Sequence, residues 1–283
     1  MGYYDFHIHT KNSGCCKEDY KYSDVWSKIK ECDLDGFGVS DHCNYPSYKP
    51  EFIYSQKKSQ KSLGIQDKGL VGLEVSIYNK KGRLGISEKY LNSIDYKIVS
   101  EHIHIAKLFS GFFTTKTRVE HWLKKYKKKK SKIDKQINRV LDMELRGIRK
   151  NPNGIFAHIF RFPLNVNYVP DVLFERLDEI LNALADNHFA LEIHSGHVHN
   201  YNLSDGEARQ KIVAGEHTHK EFYHYLYKRA KKYSLPFSLG SDAHRINDIK
   251  SRKYWKLFLN KIQVKEDELI SPQFFREYEN KKV

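Results

Sequence analysis

Tyr3-Tyr4-Asp5-Phe6-His7-Ile8-His9 is a short run of aromatic and β-branched residues that closes on two imidazoles. A run of that length and composition reads as a buried strand. Residues two apart in a strand share a face, so His7 and His9 lie on the same side. The arrangement recurs six more times. Gly36–Ser40 runs into Asp41-His42, Leu70–Ile77 carries Glu74 inside it, and Ile94–Ser100 runs into Glu101-His102-Ile103-His104. Gly154–His158 and Phe189–His194 each end in histidine, and Pro236–Gly240 runs into Ser241-Asp242-Ala243-His244. Amphipathic stretches separate these runs. Ser23 is the expected N-cap of a helix carrying Val25, Trp26, Ile29 and Leu34. Val119, Trp122, Leu123, Tyr126, Ile133, Ile137 and Val140 share one face of another helix, and Asp171–Asn187 and His217–Ser234 supply two more. Strands alternating with helices predict a parallel sheet covered by helices. Seven such units without a glycine-rich switch-point loop predict a closed barrel rather than an open sheet.

Composition narrows the class. Of 283 residues, 40% are hydrophobic and 30% charged, which excludes a disordered chain, a collagen-like fibre and a disulfide-stapled miniprotein. The four cysteines, Cys15, Cys16, Cys32 and Cys43, all lie in the first sixth of the chain and cannot cross-link the rest. They read as reduced thiols, which predicts a cytoplasmic protein. No apolar run is long enough to span a bilayer, and the first residues lack a signal-peptide pattern, so no membrane partner is expected. No linker or repeat divides the chain. It is expected to be one barrel domain over 1–283, with a Lys-rich helical segment at about 116–150 and a helical tail from about 246. The net charge of +14 belongs largely to that segment, where fourteen basic residues face four acidic ones. Its densest part, Lys124–Lys132, reads either as a solvated helix face or as a patch for phosphate-rich polymers.

The chemistry sits at strand ends. His7, His9, His42, Glu74, His102, His158, Asp242 and His244 all fall at or just past the end of an expected strand, or inside one. In a parallel barrel those ends meet at one rim, so residues distant in sequence can converge. A single histidine or aspartate at such a place is ordinarily a hydrogen-bonded structural residue. Eight together point to metal. Divalent ions take imidazole and carboxylate ligands, about four to six each, so this set suits two or three ions. No Gly-x-Ser-x-Gly elbow, P-loop or dinucleotide glycine motif competes with this reading.

In chain order, Asp5-Phe6-His7-Ile8-His9-Thr10, Ser40-Asp41-His42, Gly72-Leu73-Glu74, Ser100-Glu101-His102, Ala157-His158-Ile159-Phe160-Arg161, Leu191-Glu192-Ile193 and Ser241-Asp242-Ala243-His244 closely resemble the motifs of the PHP (polymerase and histidinol phosphatase) family of metal-dependent phosphoesterases. The resemblance implies a distorted seven-stranded (β/α)7 barrel of TIM-like type, with the metal site at the C-terminal rim of the strands. By analogy His7, His9, Glu74 and Asp242 hold a first metal. Glu74 bridges to a second, completed by His102 and His158, and His42 and His244 serve a third. His104 competes with His102, which the serine two positions earlier favours. The family places a further third-metal ligand in the loop after the first strand, here Lys11-Asn12-Ser13-Gly14-Cys15-Cys16. Cys15 stands closest to that position. A thiolate there favours zinc over manganese or magnesium; the alternative is a small buried residue beside an empty third site.

The resemblance also implies hydrolysis by water activated between two or three divalent ions (Zn, Mn or Fe), with Glu74, Asp242 and Arg161 as catalytic residues. Arg161 and Arg245 are expected to meet a phosphate, and His194 and His197 to touch substrate. The leading expectation is a phosphatase acting on a small phosphorylated metabolite or nucleotide. Histidinol phosphate is not singled out, because the Cys-x-His loop frequent in that branch is missing. The alternatives are a nuclease that holds nucleic acid through Lys124–Lys132, and a non-catalytic metal-binding module.

Overall fold

Each of the seven expected runs forms a strand. The computed structural model describes residues 2–16, 18–101, 130–160, 169–196 and 217–280. Strands β1 (Tyr4–Ile8), β2 (Gly36–Cys43), β3 (Gly69–Ser76), β4 (Tyr96–Ser100), β5 (Gly154–Phe156), β6 (Phe189–His194) and β7 (Phe237–Gly240) pair in chain order. β7 returns to β1, giving a closed parallel barrel. Its described helices are α1 (Tyr22–Glu31), α2 (Phe52–Ser62), α3 (Glu88–Leu91), α4 (Lys130–Lys150), α5 (Asp171–Asp186), α6 (His219–Lys232), α7 (Arg252–Ile262) and α8 (Gln273–Asn280). This is the (β/α)7 arrangement expected. None of the described helices is long and apolar enough to cross a membrane.

The strands read as near-continuous apolar runs because helices cover their outer faces; every residue of β3 is buried. One large core cluster joins strands to helices. A smaller one gathers Phe6, Leu70, Tyr96, Ile98, Ile155 and Ala190 with Phe275 of α8. Tyr96 occupies space that side chains at Gly38 and Gly72 would fill, since a Cβ at either would stand 2.2–2.4 Å from its ring or hydroxyl. From there its hydroxyl donates to the Phe6 carbonyl at 2.6 Å.

Two local expectations are corrected, and one segment turns where a strand could have continued. Helix α1 starts one residue before Ser23, because Asp24 in the first turn accepts the Lys21 amide at 2.7 Å and Tyr22 is buried beside Phe37. β2 does not stop at Ser40 but runs through Asp41 and His42 to Cys43, paired with β3 throughout. Beyond β7 the chain does not stay extended: Asp242 has φ +53°. The part of the Lys-rich helix that is described behaves as expected, with Ile137, Val140, Leu141 and Ile148 buried and Lys132, Lys135, Arg139 and Arg146 exposed. Residues 116–129 lie outside the described residues.

Candidate metal centre

Parallel closure sends the C-terminal ends of all seven strands to one rim. β1 brings His7, with His9 one residue past its end; β2 brings His42, β3 Glu74, and β6 Glu192 and His194. His158 and Asp242 each stand two residues beyond a strand, after β5 and β7, and both adopt a left-handed backbone with φ +53°. That conformation costs a non-glycine residue of order 1–3 kcal/mol and persists only where surrounding structure holds it. Here it turns both side chains back over the mouth.

The donors converge on Glu74, which is fully buried. Its Oε2 lies 2.6 Å from His42 Nδ1 and 3.5 Å from both His7 Nε2 and His9 Nε2, and its Oε1 lies 3.2 Å from His158 Nε2. Asp242 Oδ1 stands 2.9 Å from His9 Nε2 and 3.5 Å from His7 Nε2. Donors about 2.1 Å from a shared tetrahedral ion stand about 3.4 Å apart, so the 3.5 Å separations match an ion's demands better than a hydrogen bond's. His7 Nε2 is moreover buried with no hydrogen-bond partner. The residues fit a metal. Four clusters can each offer three ligand atoms: His7 with His9 and Glu74, His7 with His158 and Asp242, His9 with His42 and His244, and His158 with Glu192 and His194.

Behind the ligands stands a residue to which the sequence reading gave no role. Glu192 Oε1 accepts from His7 Nδ1 at 2.5 Å, and its Oε2 accepts the His158 backbone N–H at 3.2 Å. One buried carboxylate thus fixes the ring of one ligand and the backbone of another, an outer-shell arrangement common behind metal-binding histidines. Gly240 makes room for it, since a Cβ there would stand 2.2 Å from Glu192 Oε1. The signal available in the sequence was a charged residue inside the otherwise apolar run Phe189–Ile193. Asp41 does comparable work for the loop after β1. It accepts from the Thr10 amide at 2.6 Å, from the Thr10 and Ser13 hydroxyls at 2.7 Å each, and from Gln56 at 2.8 Å. Ser13 Oγ also lies 2.9 Å from His9 Nδ1.

That loop carries Cys15, whose Sγ lies 3.0 Å from His244 Nε2. Cys15 is exposed, so the small-buried-residue alternative is set aside. His194 falls within the site, with Nε2 3.4 Å from Asp242 Oδ2 and its ring 4.7 Å from that of His158. Arg245 is exposed at the start of a 3-10 turn. His102, His104, Arg161 and His197 lie outside the described residues.

Electrostatics follow from burial and neighbours. Burial favours a neutral Glu192, but His7, then His158 and His194, hold its carboxyl down at about 2. Burial likewise works against an ionised Asp242, yet His7, His194 and His9 keep it well below the usual carboxylate range. Partial burial raises the Cys15 thiol, and hydrogen bonds to His244 and His42 outweigh it, drawing the thiol down to about 6. The rim therefore presents anionic donors at neutral pH.

The sequence matches the PHP domain family over residues 5–196, more than half of the chain. The chain belongs to the PHP domain family. Membership makes it a metal-dependent phosphoesterase, a hydrolase of phosphate esters. Two solved structures share its fold. One is histidinol phosphate phosphatase from Lactococcus lactis subsp. lactis Il1403, complexed with zinc, L-histidinol and phosphate. It is 19% identical with a TM-score of 0.58, covering 93% of the PHP chain and 94% of its own. The other is from an archaeal ribonuclease P complex with mature tRNA, 13% identical with a TM-score of 0.51, covering 96% of the PHP chain and 85% of its own. No curated protein matches.

Proposed function

We propose that this PHP barrel hydrolyses phosphate monoesters of a small phosphorylated molecule or nucleotide at a centre of two or three divalent ions (Zn, Mn or Fe). The observation that supports it is the convergence of His7, His9, His158 and Asp242 on one another and on the buried Glu74, at separations of 2.9–3.5 Å. His7, His9, Glu74 and Asp242 would hold one ion. His158 and His102 would hold a second beside the other Glu74 oxygen, and His42 and His244 with Cys15 a third. When bound, such ions lower the pKa of a water towards about 7 and offset charge on phosphoryl oxygens.

The chain's own residues supply positioning and protons. Glu192 holds the His7 proton at Nδ1, leaving Nε2 free to ligate. Asp242 keeps its carboxylate ionised against burial, and His194, whose Nε2 lies beside Asp242 Oδ2, is placed to touch the ester. Arg161 and Arg245 orient the ester through its non-bridging oxygens. The histidinol phosphate phosphatase of the same fold carries zinc and phosphate, which agrees with this chemistry. The free thiols agree with a cytoplasmic location.

Metal analysis of the purified protein, followed by parallel assays on p-nitrophenyl phosphate and its bis-ester, tests the reading. Bound metal with monoester turnover supports it. Diester turnover alone supports the nuclease, which the exposed basic face of α4 favours. Metal without either activity supports the binding module.

A further inference from the structure

Away from the metal donors, a cavity of about 390 Å³ opens between α3, the start of β4, the end of α4 and α8. Tyr96 begins β4, Lys150 ends α4 and Asn153 directly precedes β5, and all three line it. The cavity therefore belongs to the amino-terminal ends of the strands. Parallel barrels of this type carry their chemistry at the opposite rim, where His7, Glu74 and Asp242 meet.

The lining is chemically unfinished. Four charged side chains border the cavity: Glu88, Asp95, Lys97 and Lys150. Asp95 pairs with Lys57, and Lys97 donates to the Pro152 carbonyl at 2.8 Å. Glu88 and Lys150 are exposed, and the carboxylate of one and the ammonium of the other have no partner among the described residues. Asn153 adds an amide whose Oδ1 is buried without a hydrogen-bond partner, on a left-handed backbone with φ +67°. A buried acceptor without a donor is destabilising, so the arrangement is completed by an N–H from elsewhere. Leu91 and Ile94, both half-buried, supply an apolar wall.

One ligand class answers every one of these demands. A free carboxylate calls for a cation, a free ammonium for an anion, the amide oxygen for a further N–H, and the wall for a short hydrocarbon. An α-amino acid carries all four in one small molecule. Its ammonium has three protons, enough for Glu88 and the Asn153 oxygen together, and its carboxylate takes the Lys150 ammonium. An aliphatic side chain covers Leu91 and Ile94. A phosphate ester, by contrast, would satisfy Lys150 and face Glu88 as a like charge.

We propose that this cavity binds a free amino acid with an aliphatic side chain, held by Glu88, Lys150 and Asn153. The site is separate from the metal mouth, and it does not depend on the phosphoesterase reading.

The test is isothermal titration calorimetry on the full chain kept in chelator, because amino acids ligate metals and must be denied the mouth. L-Leucine is expected to bind at one site per chain with a dissociation constant of about 1 mM or below. 3-Methylbutylamine lacks the carboxylate and 4-methylpentanoate the ammonium; each loses a charge-assisted contact and binds about tenfold more weakly or worse. Glu88→Gln and Lys150→Gln, at exposed positions that tolerate exchange, weaken L-leucine to the same extent. Asn153→Gly keeps the left-handed backbone, removes the amide and weakens L-leucine about threefold or more. No binding of L-leucine, L-isoleucine, L-valine or L-methionine by the wild type would overturn the proposal. So would an amine or acid that matches L-leucine, or L-leucine binding that survives the exchanges at Glu88 and Lys150.

Discussion

Replacing Glu192 by glutamine tests whether one buried carboxylate holds the ligand shell together. The side chains of His7 and Glu192 are 0% and 1% exposed and meet at 2.5 Å. Glutamine keeps the shape and can still accept from His7 Nδ1 through its carbonyl. Its amide then faces the His158 backbone N–H, a donor opposite a donor at about the 3.2 Å now spanned by a hydrogen bond. Leaving a buried donor unpaired costs about 1–3 kcal/mol. The charge contributes independently: a carboxyl lowered from 4.5 to about 2 corresponds to about 3 kcal/mol at neutral pH. Because the folded value lies below the unfolded one, this contribution is present above about pH 4.5 and is lost as pH falls towards 2. Urea denaturation of chelator-treated wild type and Glu192→Gln should therefore differ by about 3 kcal/mol or more at pH 7. The part due to charge should shrink by about half at pH 3. Zinc titrated calorimetrically into the variant should bind about 10–100-fold more weakly. A stability difference under about 0.5 kcal/mol at pH 7, or one that does not change with pH, refutes the assignment of Glu192 as the anionic clamp.

Three further outcomes are expected. Gly240→Ala, whose Cβ would press on Glu192 Oε1 and come within 3.0 Å of His7 Cβ, should cost about 1–3 kcal/mol and weaken zinc binding, measured by the same titrations. Asp41→Ala strands the Thr10 amide and hydroxyl, Ser13 and Gln56 at once, and should cost about 3 kcal/mol or more by urea denaturation; an unchanged midpoint contradicts its place at the hub. Zinc at a hundredfold excess over its dissociation constant should add about 2.7 kcal/mol to the unfolding free energy, reversed by chelator, and an unmoved melting curve contradicts a preformed centre.

The barrel was legible because each strand announces itself twice, as an apolar run and as a metal-type residue at its end. His7, Glu74 and Asp242 needed no knowledge of pairing, only the rule that parallel strands end together. What stayed hidden depended on contacts across long sequence distances. Glu192 and His7 are 185 residues apart, and no local pattern joins them. Helix α2 was missed because the side it turns inward includes Gln56 and Gln60, which hydrogen bond to Asp41 and to the Gly69 carbonyl instead of packing as apolar residues. The left-handed backbone at His158 and Asp242 was also invisible, since neither residue is the glycine that such a conformation favours. Asp242 and His244 would share a face only if their segment stayed extended. They reach the site by a turn.

The seam between the first and last strands is short in ordinary ladder bonds. β1 and β7 share the register pair Asp5 with Leu239, and closure is completed past the strand ends by His9 and His7 exchanging backbone hydrogen bonds with Ala243, at 3.0 and 3.3 Å. The amino acids that fasten the cylinder are thus the very neighbours of those that would grip an ion. Loading the mouth should tighten the zip by which the two chain ends find each other, and emptying it should let amide protons along that edge exchange first. Closing of the barrel and acquisition of a metal would then reinforce each other.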